Sequence, residues 1–434
     1  MDARSGRDAA LSARLECERG RRLDRAFAAT ARGLDPRERA FAHELSHGVT
    51  RLRGRLDHLI APHAHRGLDS IEPRLLEILR LGAYQALYMD GVPAYAAVSE
   101  TVEQARSVVD AKVAGFANAV LRRVVEAGDG PDRFPSFGLD PAGFLTTWGS
   151  HPRWLVQRWL TRWTPEEVRS LVEADNRRPT VYLVPLDIAP TDAAERLSRS
   201  GIEAAEVGQG TRCVRLESAA EVRRALDVIS PAIVQDPAAN LVSRYADVPS
   251  GTMVADLCAA PGGKILALSG SPATLLAADR SESRIDMLKE NARRTGRPLL
   301  TVVADALHPP IARSDVVLLD VPCTGTGTLS RHPDARWRLE PGSIVQMSEL
   351  QGRMLDAAAP VIPPGGLLVY STCTLEPEEN EQRVRRFLDE HDDFAIEVTG
   401  AVPGAFLDVA GHLVVTPQHS DFDGAFAARM RRAA

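Results

Sequence analysis

The sequence predicts a multidomain chain: an all-α front, a small α+β module, and a Rossmann-like α/β domain built on a doubly wound parallel sheet. Three observations carry this. Residues 1–127 place apolar side chains at intervals of three and four, the period of helices. Residues 128–142, GDGPDRFPSFGLDPA, concentrate Gly, Pro and Asp as a linker does. From about residue 236, apolar runs of strand length alternate with helical stretches, the pattern of buried parallel strands.

In the front, Leu75, Ile78, Leu79 and Leu81 mark one helix face, and Val98, Val102 and Ala105 another. Asp35-Pro36 and Ile71-Glu72-Pro73 read as helix starts, with Pro near the first turn. The middle module, 143–235, opens with the helix-like SHPRWLVQRWLTRW and a second helix after Thr164-Pro165. The β-like runs TVYLVPL and RCVRL follow, with AAERLSRSG between them as a helix. Trp154, Trp159 and Trp163, beside arginines, offer either an RNA-stacking surface or ordinary core and interdomain packing, the commoner fate. In the last domain, 236–434, strands are expected at TMVADL, TLLAAD, LLTVVAD, DVVLLD and GGLLVYST, with SESRIDMLKENARRTG as one intervening helix.

Composition narrows the function classes. No run of about 18 uncharged apolar residues exists, and the first 20 residues lack the apolar stretch of a secretory signal, so a cytoplasmic location and no membrane partner are expected. Five cysteines, an odd and sparse set without CxxC spacing, argue against a disulfide framework and a zinc site; no metal is expected and the thiols stay reduced. The net charge of −6 argues mildly against a nucleic-acid partner. Its distribution differs: residues 1–130 hold 20 Lys+Arg against 18 Asp+Glu, a net of +2, leaving −8 for the remainder. Only three lysines occur, Lys112, Lys264 and Lys289, against 49 arginines, which makes a lysine inside a motif informative.

The expected strand ends carry the chemistry. DLCAAPGGK, Asp256 to Lys264, supplies glycines that let backbone approach a ligand closely and a helix start with free N–H groups. It is neither a P-loop nor a GxGxxG fingerprint. Asp279, about 20 residues past the turn, is placed to accept hydrogen bonds from ribose hydroxyls, and Asp305 from an adenine amino group. A lone Asp at a strand–helix junction is more often an N-cap. Aspartates at successive strand ends, without a phosphate cradle, favour S-adenosylmethionine over NAD or ATP.

DVPCTGTG, from Asp320 to Gly327, ends the fourth strand, and Cys373 in STC follows the fifth. Buried cysteines commonly act as small hydrophobes. Cys323 and Cys373, however, both follow strands and sit in polar, Gly- and Thr-rich turns flanking one cleft. Carbon 5 of a pyrimidine is a poor nucleophile toward a methyl sulfonium. A thiolate adding to carbon 6 turns the ring into an enamine whose carbon 5 can attack the methyl group. A second thiol can assist release, and the base must be unstacked to reach the cleft.

DLCAAPGGK, DxSxxRxxxLxEN (Asp279 to Asn291), DVPCTGTG with RHPD (Arg331 to Asp334), and STCTLEPEENE (Ser371 to Glu381) together resemble the Sun/Fmu group of RNA 5-methylcytosine methyltransferases. The likeness spans nearly the whole chain. LRLGAYQALYMDGVPAYAAVSETVEQAR and GFANAVLRRV are similar to the NusB-like RNA-binding domain of that group, and DFDGAFAARM resembles its last strand. The resemblance implies that Cys258, Ala259, Ala260, Pro261, Gly262, Gly263, Lys264, Asp279, Arg284, Asp305 and Asp320 line the S-adenosylmethionine site. It also implies Cys373 as nucleophile, Cys323 as the thiol of product release, Asp320 as a catalytic partner, and small-subunit rRNA as substrate for a monomeric enzyme. From the residues alone the order of the thiols stays open, because DNA 5-methylcytosine enzymes use their Pro-Cys thiol as nucleophile. Thr324 stands where Ser is common, and TVYLVPL replaces the usual Arg-Val-Asn stretch. The competing readings are the same chemistry on tRNA or another RNA, and a non-catalytic RNA-binding assembly factor.

Overall fold

The computed structural model describes residues 5–64, 66–268 and 272–434. The chain folds as two compact units, one of residues 1–177 with 329–339, the other of residues 178–328 with 340–434.

The first unit is helical, and its helix starts follow from local chemistry. Asp35, Glu72, Asp140 and Thr164 each accept backbone N–H bonds at the head of a helix whose first residue is proline: Pro36–Arg51, Pro73–Tyr88, Pro141–Thr147 and Pro165–Asn176. The side chain satisfies donors that the first turn leaves unpaired, and proline has no N–H to satisfy. Thr164 and Glu167 complete a reciprocal capping box. Gly48 lets two helices touch, since a Cβ there would lie 2.1 Å from the Tyr84 ring. At the centre, the Glu77 carboxylate accepts from Arg14 Nε at 2.9 Å and from Arg80, and Arg80 also makes a bidentate pair with Asp57 at 2.7 and 2.8 Å.

The helical unit continues past residues 128–142. Ser150 donates to the Arg51 carbonyl at 2.8 Å and accepts from Gly54 N–H at 2.9 Å, while Arg55 donates to the Trp148 carbonyl at 2.7 Å. These bonds hold the helices of 141–176 against the front helices, and the compact unit reaches Arg177. Residues 329–339, which include the RHPD motif, belong to the helical unit. Buried Arg336 donates there to the carbonyls of Arg51, Ser150, Asp175 and Leu329 and, at 2.8 Å, to Asn176. Asp334 accepts from Leu23 N–H at 3.3 Å and Arg338 Nε at 2.9 Å. Trp159 is fully buried and belongs to the core, not to a surface that could stack on RNA.

The second unit holds two sheets. The smaller contains β1 (Val181–Pro185), β2 (Ala204–Glu206), β3 (Val214–Leu216) and β4 (Ala232–Val234), ordered β2-β3-β1-β4 and antiparallel throughout. Helices Pro190–Arg199 and Val222–Val228 accompany it. The larger contains β5 (Met253–Asp256), β6 (Thr274–Asp279), β7 (Leu300–Val303), β8 (Val316–Asp320), β9 (Leu367–Thr372), β10 (Phe394–Ile396), β11 (Leu413–Val415) and β12 (Ala425–Arg432). Its order is β10-β12-β9-β8-β5-β6-β7, with β11 beside β12. Strands β5 to β9 are parallel, and β12 runs antiparallel to β9. Apolar side chains of β5, β8 and β9 alternate between two buried clusters, one on each face, which is why these strands read as continuous apolar runs. The strand order reverses between β5 and β8. Such a switch point leaves a crevice at the carboxyl ends of the strands.

Candidate active site

The crevice is a cavity of about 260 Å³, and Cys258, Asp279, Arg284, Asp305, Asp320, Cys323 and Cys373 all line it. Leu350 and Met354, from helix Pro341–Ala358, form an apolar wall. Seven of the residues singled out in the sequence thus meet around one space.

Three of the strand-end aspartates fold back on the turn that follows each of them. Asp256, Asp279 and Asp305 accept from the N–H groups of Cys258, Ser281 and Leu307, at 3.1, 3.0 and 3.0 Å. Each bond spans two residues, so these are Asx-type turns and not helix caps; the cap of helix Glu282–Thr295 is Ser281. Asp279 also pairs with Arg284 at 3.1 Å, and Arg284 donates to the Ala260 carbonyl, tying this helix to the Gly-rich turn. Burial, with Asp320 nearby, raises the Asp256 carboxyl to about 7.

The Gly-rich turn contributes differently than its motif suggests. Only Cys258 of its Cys258–Lys264 stretch lines the cavity; Ala259 and Ala260 are buried in the core. Gly262 sits at φ 103°, a conformation only glycine adopts readily, and Gly263 begins a single helical turn to Leu266. Lys264 turns to Asp320, with Nζ 2.7 Å from Oδ2, while Ser371 Oγ donates to Oδ1 at 2.8 Å. Burial opposes the Lys264 charge, but Asp320 outweighs it and raises its pKa.

The two thiols are neighbours. Cys323 Sγ lies 3.3 Å from Cys373 Sγ and accepts from Cys373 N–H at 3.4 Å. The hydrogen bond with Cys323 lowers the Cys373 pKa, with help from the Lys264 charge, whereas hydrogen bonding and burial raise Cys323 well above the ordinary thiol value. Cys258 too is pushed up by burial and by the surrounding carboxylates.

Backbone contact brings the thiol turns together. Gly327 N–H donates to the Cys373 carbonyl at 3.0 Å, and Gly424 N–H to the Gly327 carbonyl at 2.6 Å. A Cβ on Gly327 would stand 2.6 Å from Gly424 Cα and 2.8 Å from the Cys373 oxygen, so Gly327 and Gly424 are required by close approach. Sequence reasoning missed the buried Glu379 and Gln351 beneath these turns. Glu379 lay within the quoted STCTLEPEENE run, whereas Gln351 comes from a helix with no local signal.

Comparison with known proteins agrees with this architecture. The family model described as 16S rRNA methyltransferase RsmB/F matches residues 247–431, and that of the NusB family residues 4–126. A ferredoxin-like domain of RsmF/B-like methyltransferases matches residues 151–223, which span the smaller sheet up to β3. Ribosomal RNA small subunit methyltransferase B of Salmonella typhi is 32% identical over 401 residues, 90% of this chain and 91% of its own. The protein of the same name from Cronobacter sakazakii is 32% identical over 394 residues, covering 88% and 90%. Among solved structures, PH0851 shares the fold, with a TM-score of 0.76 over 98% of both chains at 23% identity. A methyltransferase homologue from Pyrococcus horikoshii aligns with a TM-score of 0.56 at 25% identity, over 69% of this chain and all of its own. The NusB-like front, the ferredoxin-like module and the Rossmann-like domain occur here in the same order, and the chain belongs to the RsmB/F family of 16S rRNA methyltransferases.

Proposed function

We propose that the protein methylates carbon 5 of a cytosine in small-subunit rRNA, in the cytoplasm, through a covalent adduct with Cys373. The observation that carries this reading is the pair of thiols, 3.3 Å apart, at one side of the cavity that the strand-end aspartates line. The cavity residues fit S-adenosylmethionine: three carboxylates, Asp279, Asp305 and Asp320, suit ribose hydroxyls, an adenine amino group and a sulfonium, and would repel a phosphate. Asp279 and Asp305 would hold the nucleoside, and Leu350 and Met354 would pack on its apolar surface. S-adenosylmethionine supplies an electrophilic methyl group on sulfur.

Cys373 acts first. Its thiolate sulfur bonds to carbon 6 of the unstacked cytosine, and the electron pair of the 5,6 double bond moves to carbon 5. Carbon 5 takes the methyl group, and the pair of the broken sulfur–carbon bond remains on the donor's sulfur. The proton on carbon 5 then leaves to a base, the carbon 6–sulfur bond breaks, and Cys373 recovers its electron pair. Cys323 serves this release. Asp320, held by Lys264 and Ser371, fixes the floor of the base pocket.

Two variants test the assignment. Cys373→Ala is expected to abolish methyl transfer; activity at the wild-type level would remove it from the nucleophile role. Cys323→Ala is expected to trap a denaturant-resistant protein–RNA adduct that disappears in the double variant, and no adduct would defeat the release role. Bisulfite mapping of rRNA and tRNA from cells lacking the protein identifies the substrate, and a lost mark confined to tRNA would overturn the rRNA reading.

A further inference from the structure

Beneath the two thiol turns lies a buried polar cluster that the proposed chemistry does not use. Glu379 Oε2 accepts from Thr324 N–H at 3.0 Å and from Gln351 Nε2 at 2.8 Å. Glu379 Oε1 faces two hydroxyls: Thr324 Oγ1, which donates to it, and Thr374 Oγ1 at 3.2 Å. Thr324 follows Cys323 and Thr374 follows Cys373, so one carboxyl group grips the residue next to each thiol. Gln351 also donates to the Pro322 carbonyl at 3.0 Å, on the other side of Cys323. The Glu379 backbone is anchored in turn, since Tyr370 OH donates to its carbonyl at 2.6 Å. No cation touches the carboxyl group in these bonds; all its partners are neutral.

We propose that Glu379 is a positioning residue that clasps the Pro-Cys turn to the Thr-Cys turn and so holds Cys323 and Cys373 in register. This rests on the reading of the two thiols given above. Without the clasp Thr324 N–H becomes a buried donor with no acceptor, and Gln351 Nε2 keeps only the Pro322 carbonyl. The demand on Glu379 is geometric. Oε2 must accept from two obligate donors, while the hydroxyls facing Oε1 rotate and can either donate or accept. Burial raises the Glu379 pKa. An amide can therefore replace it, oxygen toward Oε2 and nitrogen toward Oε1. A shorter carboxylate cannot span the same four partners.

The substitutions that separate this role from others are E379D and E379Q in the full chain. For a clasp, E379D lowers kcat for methyl transfer about 10²-fold, the scale of an ångström-sized misplacement, with KM for S-adenosylmethionine and S-adenosylhomocysteine binding retained. E379Q recovers most of that loss. A group that moved a proton or needed its charge would give the reverse order. A second readout needs no RNA: diamide oxidises the two thiols to a disulfide while its diazene is reduced to a hydrazine, and mass spectrometry follows the Cys323–Cys373 link. E379D slows linkage and E379Q does not. If E379D links its thiols at the wild-type rate, or E379Q is folded yet as impaired as E379D, the clasp is overturned. Should E379D fail to fold, the E379Q result decides alone. Cys373→Ala run in parallel keeps the two ideas apart: activity there defeats the proposed chemistry and leaves the linkage result standing.

Discussion

Two buried glutamates, one in each unit, are held in opposite ways. Glu77 of the helical unit sits between two guanidinium groups, Arg14 and Arg80. Burial pushes its carboxyl up, but the two cations overcome this and bring it to about 2. Glu379 of the α/β unit is held by two hydroxyls, an amide and a backbone N–H, and burial prevails, so its pKa rises. The first arrangement is a permanent ion cluster that fixes one helix against another. The second holds a carboxyl group among neutral partners beside a pair of thiols. Perturbed groups of the second kind gather at reactive sites, while paired ions of the first kind are common in scaffolds.

The largest effect that would break this comparison is on stability. Removing one member of a buried ion cluster leaves the others charged and unpaired, which costs about 3–5 kcal/mol. Glu77→Ala is expected to lower unfolding free energy by that amount in urea titrations, because Arg14 and Arg80 lose their shared partner. A loss below about 1 kcal/mol would mean the cluster is solvated like a surface pair, and the contrast with Glu379 would vanish.

The pH dependence sharpens it. The Glu77 pKa falls on folding from the ordinary 4.5 to about 2, so its stabilising contribution is complete above 4.5 and is lost as pH falls toward 2. Asp256 runs the other way: its pKa rises from 3.8 to about 7, so stability present below 3.8 is lost as pH rises toward 7. Glu379 has the same sign as Asp256, starting from 4.5. Hydrogen exchange, corrected for its intrinsic pH dependence, is expected to show helix Pro73–Tyr88 weakening below pH 4.5 while β5 weakens between pH 4 and 7. Parallel slopes in the two units would contradict the opposed environments.

The legible parts of the molecule were those whose signal is local. Strands β5, β6, β8 and β9 are buried on both faces and announce themselves as apolar runs, and prolines behind Asp35 and Glu72 mark helix starts through capping alone. The cavity residues were legible because catalytic motifs crowd into short turns at strand ends. What escaped depends on distant partners. β12 did not escape outright: the likeness of DFDGAFAARM to the family's last strand marked it, although AFAARMRR alone is rich in helix formers and is held as a strand by pairing with β9. β2 and β4, three residues each, exist through their neighbours in the small sheet. Residues 329–339 read as part of the catalytic domain, yet Arg336 finds its acceptors among helices more than 150 residues earlier in the chain. Gln351 reaches Glu379 from a helix with no motif, so the clasp could not be seen without the fold.

Asp279 combines features of both glutamates, and the smallest predicted effect comes from it. Like Glu77 it is buried and paired with an arginine, but its Arg284 partner is half-exposed and the carboxylate lines the cavity. Asp279→Asn keeps the size and can keep the bond from Ser281 N–H while removing the charge that faces the nucleoside. Hydrogen bonds to a charged group contribute about 1.5–3 kcal/mol, and part of this is offset because Arg284 no longer competes for the same oxygens. S-adenosylhomocysteine binding, measured by calorimetry, is therefore expected to weaken about tenfold, which corresponds to about 1.4 kcal/mol. Diamide linkage of Cys323 and Cys373 should be unaffected, since the thiol turns do not touch Asp279. Unchanged affinity would assign Asp279 to holding helix Glu282–Thr295 through Arg284, on the side of Glu77, and leave the donor to be recognised by Asp305 and the apolar wall.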